Sequence, residues 1–226
     1  MRYALNQAID KNAIIDKVMR GQALPLKTPG IGGLFGTAEF EPLAYDPAKA
    51  KQLLAEAGFA NGFDMTLSYV SGRWPGDDQV VEAVQGYLTQ VGVRVAIKKV
   101  DNAGLVTDLA LDPDQNPGLA IMPVRSSFYL DYHLYRMYHS AATKANAAQR
   151  SGYSNPEVDK LIEQEQTIFD PAKRLPVFEQ AQRMIWEDMP FIFLFQQTSL
   201  WGQRKNVSGF GVPPTGSFLP RQLRKD

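Results

Sequence analysis

The spacing of apolar residues changes several times along the chain, and each change marks an element. Leu5, Ala8, Ile9, Ile14, Ile15, Val18 and Met19 recur with polar residues between them, which predicts helix from the first residues onward. Asp46 followed by Pro47 is an N-cap with proline at the first helical position, and the helix it opens stops at Gly58. Residues 63–70 alternate, with Phe63, Met65, Leu67 and Tyr69 on one side, and predict a strand. A loop over 72–77 leads to Val81, Val84, Leu88 and Val91 at helical spacing, closed by Gly92. Residues 93–97 alternate again. Strand, loop, helix and strand in about 35 residues make a βαβ unit, so a parallel pair with a right-handed crossover is expected.

A short helix is predicted over 103–111, then a turn-rich stretch over 112–117 and a buried strand of the same sheet over 118–124. Asn155-Pro156 and Asp170-Pro171 repeat the cap-plus-proline start and open helices of about 13 and about 18 residues. Residues 190–210 predict one or two strands, and Pro213-Pro214 with the basic end from Arg221 reads as a tail. The class is α/β, without internal repeats.

At 226 residues the chain suits one large domain or two small ones. Lys plus Arg and Asp plus Glu each number 24, so the net charge is zero, which argues against a nucleic-acid partner. The absence of cysteine removes disulfides, thiol nucleophiles, iron–sulfur clusters and cysteine-held zinc. The longest apolar run is Phe191 through Phe195, far short of the ~20 residues that span a bilayer. The start has no basic region followed by an apolar core, so it reads as the inside of a structural element rather than a signal peptide.

Catalytic motifs are missing. His133 and His139 are six apart and fall on different helix faces, so they read as surface or helix-end residues rather than a metal pair, and neither a metal nor a cofactor is implied. There is no Gly-x-Ser-x-Gly elbow. The glycine-rich stretch 30–36 has Phe35 where a dinucleotide loop has its last glycine and lacks the P-loop lysine, so it reads as a flexible surface loop.

One site follows from topology. Ligands of open α/β sheets sit beyond the carboxyl ends of parallel strands. The strand over 63–70 ends at Arg73 and Trp74, and the strand over 118–124 ends at Arg125, Ser126, Ser127 and Tyr129. If both strands are parallel, the two loops share an edge. An arginine fork there suits a carboxylate, with Trp74 or Tyr129 covering the apolar part of a ligand. The alternative is that the arginines are solvent-exposed ion-pair partners and the aromatics are packing.

Residues 1–10 with Ile14 and Ile15, residues 45–58, Asn61 to Phe63, Gly92 to Val95, residues 152–162 and residues 204–210 together resemble, in the same order, one family. It is the solute-binding proteins of peptide-importing ABC transporters, which includes dipeptide, oligopeptide, glutathione and nickel binders. The resemblance covers the later part of such proteins. It implies a periplasmic-binding-protein-like lobe with a partly parallel mixed sheet flanked by helices. Residues 1–185 would be the second lobe, and 186–226 the segment that returns to a first lobe absent from this chain. Without that lobe, residues 191–195 are expected to expose apolar surface that pairs with another chain.

The resemblance further implies capture of a small peptide or peptide-like ligand between two lobes, delivery to an ABC permease, no catalysis, and a periplasmic or extracellular location. It gives Arg73 the ligand carboxylate. Residues 123–127 lack the tryptophan and aspartate with which peptide binders hold the ligand amine, and Asp131 followed by Tyr132 substitutes in the manner of glutathione-type members. Alternatives are a metal-chelate, glutathione-like or opine-like solute, a small α/β hydrolase or transferase, and an interaction module built on the apolar C-terminal segment.

Overall fold

The computed structural model describes residues 1–110, 118–124, 129–145, 152–198, 200–211 and 223–225. The chain opens on α1 (Arg2–Gln7) and α2 (Lys11–Ala13), which runs into a π-helical turn over Ile14–Val18. After β1 (Ala23–Pro25) comes α3 (Pro47–Glu56), where Asp46 accepts the Lys49 N–H at 2.8 Å, the cap its sequence predicts.

The sheet positions the site. β2 (Phe63–Tyr69), α4 (Asp77–Gln90) and β3 (Val93–Lys99) form the expected unit, with parallel pairing from Phe63 opposite Val93 to Tyr69 opposite Lys99. Gly62 and Gly92 lead into the two strands and approach so closely that a Cβ on Gly62, whose φ is +69°, would collide with the Gly92 carbonyl oxygen. Only glycine meets both demands.

α5 (Asn102–Ala110) leads to β4 (Gly118–Ile121), which pairs parallel with the other side of β2, giving the order β3-β2-β4. The two crossover helices cover opposite faces. Met65, Leu67 and Tyr69 join Val80, Val81, Val84 and Leu88 of α4 in one buried cluster. Ser68, on the other face by alternation, donates to Asp108 of α5 at 2.7 Å, and Lys98 meets the same carboxylate at 2.8 Å. β4 corrects the expectation of a buried strand: among the described residues it has one neighbour, its residues are half-buried or exposed, and it ends at Ile121 rather than 124.

A second core is helical. α6 (Leu130–Tyr138) and α7 (Ser140–Ala145) precede α8 (Pro156–Gln166) and α9 (Pro171–Asp188), capped by Asn155 on Glu157 N–H and Asp170 on Ala172 N–H. α8 has 11 residues, shorter than predicted, because its last turn closes at Thr167. Leu130, Leu134 and Tyr138 of α6 pack against Val158 and Ile162 of α8 and Phe178 and Ile185 of α9.

Three further expectations are corrected. Residues 191–195 are not an open apolar strip: the Phe193 ring stacks on Trp186 at 4.9 Å, Phe191 meets Tyr138 edge-on at 5.7 Å, and β5 (Phe195–Gln197) pairs antiparallel with β1. At the basic end Arg224 and Lys225 form β7, paired with β6 (Val207–Ser208), while Pro213, Pro214 and Arg221 lie outside the described residues. The glycine-rich stretch is clamped rather than flexible. Buried Gln182 of α9 donates to Gly36 O at 2.8 Å and accepts from Ala38 N–H at 3.1 Å, while Tyr138 donates to Pro29 O at 2.6 Å. Gly36 has φ +84°, and the Phe178 ring fills the space a Cβ would need.

Candidate functional site

Because β2 and β4 are parallel neighbours, the loop after β2 and residues 122–124 after β4 leave the sheet at one edge. The loop after β2 is held by an acid that sequence reading passed over. Asp77, at the start of α4 and almost buried, accepts the Arg73 N–H at 2.7 Å and the Trp74 N–H at 3.3 Å through Oδ2, and the Asp78 N–H at 2.8 Å through Oδ1. Three donors on one buried carboxylate fix the loop and the helix start together.

Asp78 organises the strand ends beside it. It accepts from Tyr69 Oη at 2.6 Å and Ser71 Oγ at 2.7 Å and pairs with Lys99 at 3.2 Å. The Tyr69 hydroxyl first, then Ser71 and Lys99, pull its carboxyl down to about 2, so it stays ionised across ordinary pH.

Arg73 projects from this framework with its side chain exposed. Its Nη1 donates to Asn102 Oδ1 at 3.1 Å, and among the described residues no carboxylate pairs with it. That differs from the surface ion-pair alternative. Trp74 follows the packing alternative: half-buried against the sheet core, it meets Phe195 edge-on at 6.0 Å. Tyr129 is 71% exposed and free to cover a ligand. Arg125 and Ser127 lie outside the described residues.

Asp131 sits in the first turn of α6, where the helix dipole favours a negative charge. Its Oδ1 accepts the Tyr132 N–H at 2.7 Å, and its Oδ2 pairs with Arg174 of α9 at 2.9 Å. Arg174 also holds Glu165 of α8, Nη2 to Oε2 at 2.6 Å and Nε to Oε2 at 2.9 Å. Neither Arg174 nor Glu165 was singled out from the sequence. The only available signal was a charged residue on an otherwise apolar helix face, which is too weak to select them.

The histidines correct their expectation of exposure: both are buried. His133 donates from Nε2 to Pro29 O at 3.2 Å, and burial pulls it down to about 4, so it is neutral. His139, at the end of α6 as one alternative had it, meets Glu163 at 3.2 Å. Among the described residues no three His, Asp or Glu side chains converge as a metal site, and no helix is long and apolar enough to cross a membrane. A groove of about 400 Å³ between Lys27, Phe40, Glu41, Arg183 and Trp186 contains none of the residues at the strand ends.

Comparison with known proteins gives a consistent picture. The family model described as bacterial extracellular solute-binding proteins, family 5, matches residues 1–152. The glutathione-binding protein GsiB of Pectobacterium atrosepticum is 31% identical over 221 residues, which is 96% of this chain and 43% of the relative. The chain thus spans less than half the length of that protein. The periplasmic binding protein DppA of Helicobacter pylori, solved with the peptide STSA, superimposes with a TM-score of 0.80 over 99% of this chain and 43% of its own, at 23% identity, a likeness of fold. MoaA of A. tumefacien R10, solved with mannopinic acid, gives a TM-score of 0.75 at 26% identity over 99% of this chain and 46% of its own.

Proposed function

The chain belongs to the bacterial extracellular solute-binding proteins, family 5, and from that premise we propose that it forms one lobe of a two-lobe binder that captures a peptide or peptide-like solute. In this reading residues 1–185 are the lobe, 186–226 are the segment returning to the other lobe, and α9 carries the chain across that boundary. The captured solute passes to an ABC-type import permease, in a periplasm or at the outer face of a cell. Arg73, Tyr129 and Asp131 line this half of the cleft and Trp74 backs the wall; Arg125 and Ser127, outside the described residues, are assigned to it from the sequence alone. The family binds solutes rather than transforming them, so the task is capture by hinge closure, without a catalytic step.

One observation carries the reading: Arg73 stands at the carboxyl edge of the parallel strands on a loop fixed by Asp77, and among the described residues no acid neutralises it. A fork so placed is ready for a bidentate ligand carboxylate. Asp131 bears on a second reading. Both its oxygens are engaged inside the chain, and only if the Arg174 contact neutralised it would the site suit a solute with a carboxylate and a masked amine. The mannopinic acid bound by MoaA is the corresponding chemistry among the relatives.

The test is a thermal-shift screen of the natural full-length product with pooled di- to pentapeptides beside amino-blocked and carboxyl-blocked pools. Ligand at a hundred times its dissociation constant stabilises by about 2.7 kcal/mol. A shift that requires the free carboxylate supports Arg73, and Arg73→Ala then weakens binding by about 2–5 kcal/mol. Shifts indifferent to the carboxylate, or an unchanged affinity in the variant, take Arg73 out of the site.

A further inference from the structure

Arg174 reaches two acids from two other helices, and the three are unequal in exposure. The Glu165 side chain is fully buried, Arg174 is 23% exposed and Asp131 is 31% exposed. Arg174 aims both Nε and Nη2 at Glu165 Oε2 and gives Asp131 only a share of Nη2, at 2.9 Å. Its guanidinium also lies over the Phe178 ring, 4.8 Å from the centroid. The cation is therefore oriented by Glu165 and by α9's own core, with Asp131 at its outer end.

Glu165 is poorly served as a structural partner. Its Oε1 is buried with no hydrogen-bond partner among the described residues, and burial raises its carboxyl above the usual range. A residue kept only to support α8 and α9 would be better satisfied as an apolar side chain of similar volume. What a buried acid supplies here, and an apolar one would not, is charge. Two carboxylates around one guanidinium leave one negative charge over, and Asp131 is the acid among them that solvent and a ligand can reach.

We propose that Glu165 sets the charge that Asp131 presents at the ligand edge: by taking up the Arg174 cation from beneath, it leaves Asp131 negative toward a ligand ammonium. Glu165 is then a specificity-determining residue that never touches the ligand. This rests on the reading that Asp131 lines the cleft, and it deepens that reading. Asp131's contact with Arg174 looks like neutralisation when taken alone, but the buried second acid reverses the balance.

The experiment compares the full-length product with Glu165→Gln and with Glu165→Gln combined with Arg174→Met. Each is titrated by thermal shift with the free-amine peptide pool and with its N-acetylated counterpart. Glu165→Gln keeps an acceptor for Arg174 but removes a charge, so the preference for the free-amine pool should fall by about tenfold, the scale of one partly screened charge at this range. Removing the Arg174 cation as well should restore that preference. A purely supporting role predicts the opposite, namely that both pools weaken together and the double variant is worse than the single one. An unchanged ratio in Glu165→Gln, or a wild type without preference for the free amine, overturns the proposal while leaving peptide capture standing. If neither pool shifts the wild type, the peptide reading fails and this proposal fails with it.

Discussion

His133 shows how far a single side chain depends on residues remote in sequence. Its spacing from His139 argues against a metal pair, yet its burial was illegible, because the Pro29 carbonyl it serves lies 104 residues away. The consequence is a pH dependence of stability. The folded protein keeps His133 neutral down to about 4, whereas the unfolded chain takes up the proton near 6.5. The stabilising contribution is thus complete above 6.5 and is lost as pH falls toward 4, in total about 3 kcal/mol. Urea denaturation of the wild type and of His133→Gln between pH 7 and pH 4.5 checks this. The variant, which keeps a donor for Pro29 and has no titration, should lose less stability over the interval; parallel losses would contradict a buried neutral imidazole. Asp77 and the Arg174 pair were hidden for the same reason as His133, since a carboxylate's role is fixed by which donors the fold brings to it.

At the scale of elements the sequence is far more informative, because what decides an element is local. The three cap-plus-proline helices start where their sequences place them, and the alternation at 63–70 and 93–97 sets both the strands and their buried faces. The glycine-rich loop and β4 were misjudged because clamping and burial depend on neighbours, Gln182 in one case and, among the described residues, a single flanking strand in the other. Two helix starts allow a controlled comparison. Asp46→Ala removes an exposed cap and should reduce stability by about 1 kcal/mol without touching ligand affinity. Asp77→Ala removes a buried carboxylate that accepts three N–H groups, two of them from the loop that carries Arg73. It should reduce stability by about 2 kcal/mol and also raise the concentration of carboxylate-bearing peptide pool needed for half-maximal shift. If Asp77→Ala binds as tightly as Asp46→Ala, loop order has no part in the site.

At the scale of the whole molecule, the segment after α9 joins the two cores. Asn6, buried in α1, donates to Phe191 O at 3.1 Å, and Phe195 meets Trp74 beside the Arg73 loop. Phe193 stacks on Trp186, which itself stacks on Phe40 at 5.8 Å and donates to Glu41 O. The apolar run that the resemblance marked as an exposed edge is therefore a tie between the sheet half and the helical half. Its ties to the sheet half are remote in sequence, 185 residues for Asn6 and Phe191, which is why no local pattern revealed it. Such a tie makes the halves cooperative. Phe193→Ala opens a cavity beside Trp186 and should destabilise by about 3–5 kcal/mol. The more telling readout is the shape of unfolding, followed at Trp74 for the sheet half and at Trp186 for the helical half, in proteins carrying one of these tryptophans and phenylalanine at the other two. In the wild-type background the two probes should report one coincident transition. In Phe193→Ala the helical half should melt first, with Trp186 leading Trp74. Coincident transitions in the variant would mean that the sheet and the helices are coupled through other contacts, and that the run from Phe191 to Phe195 only covers a surface.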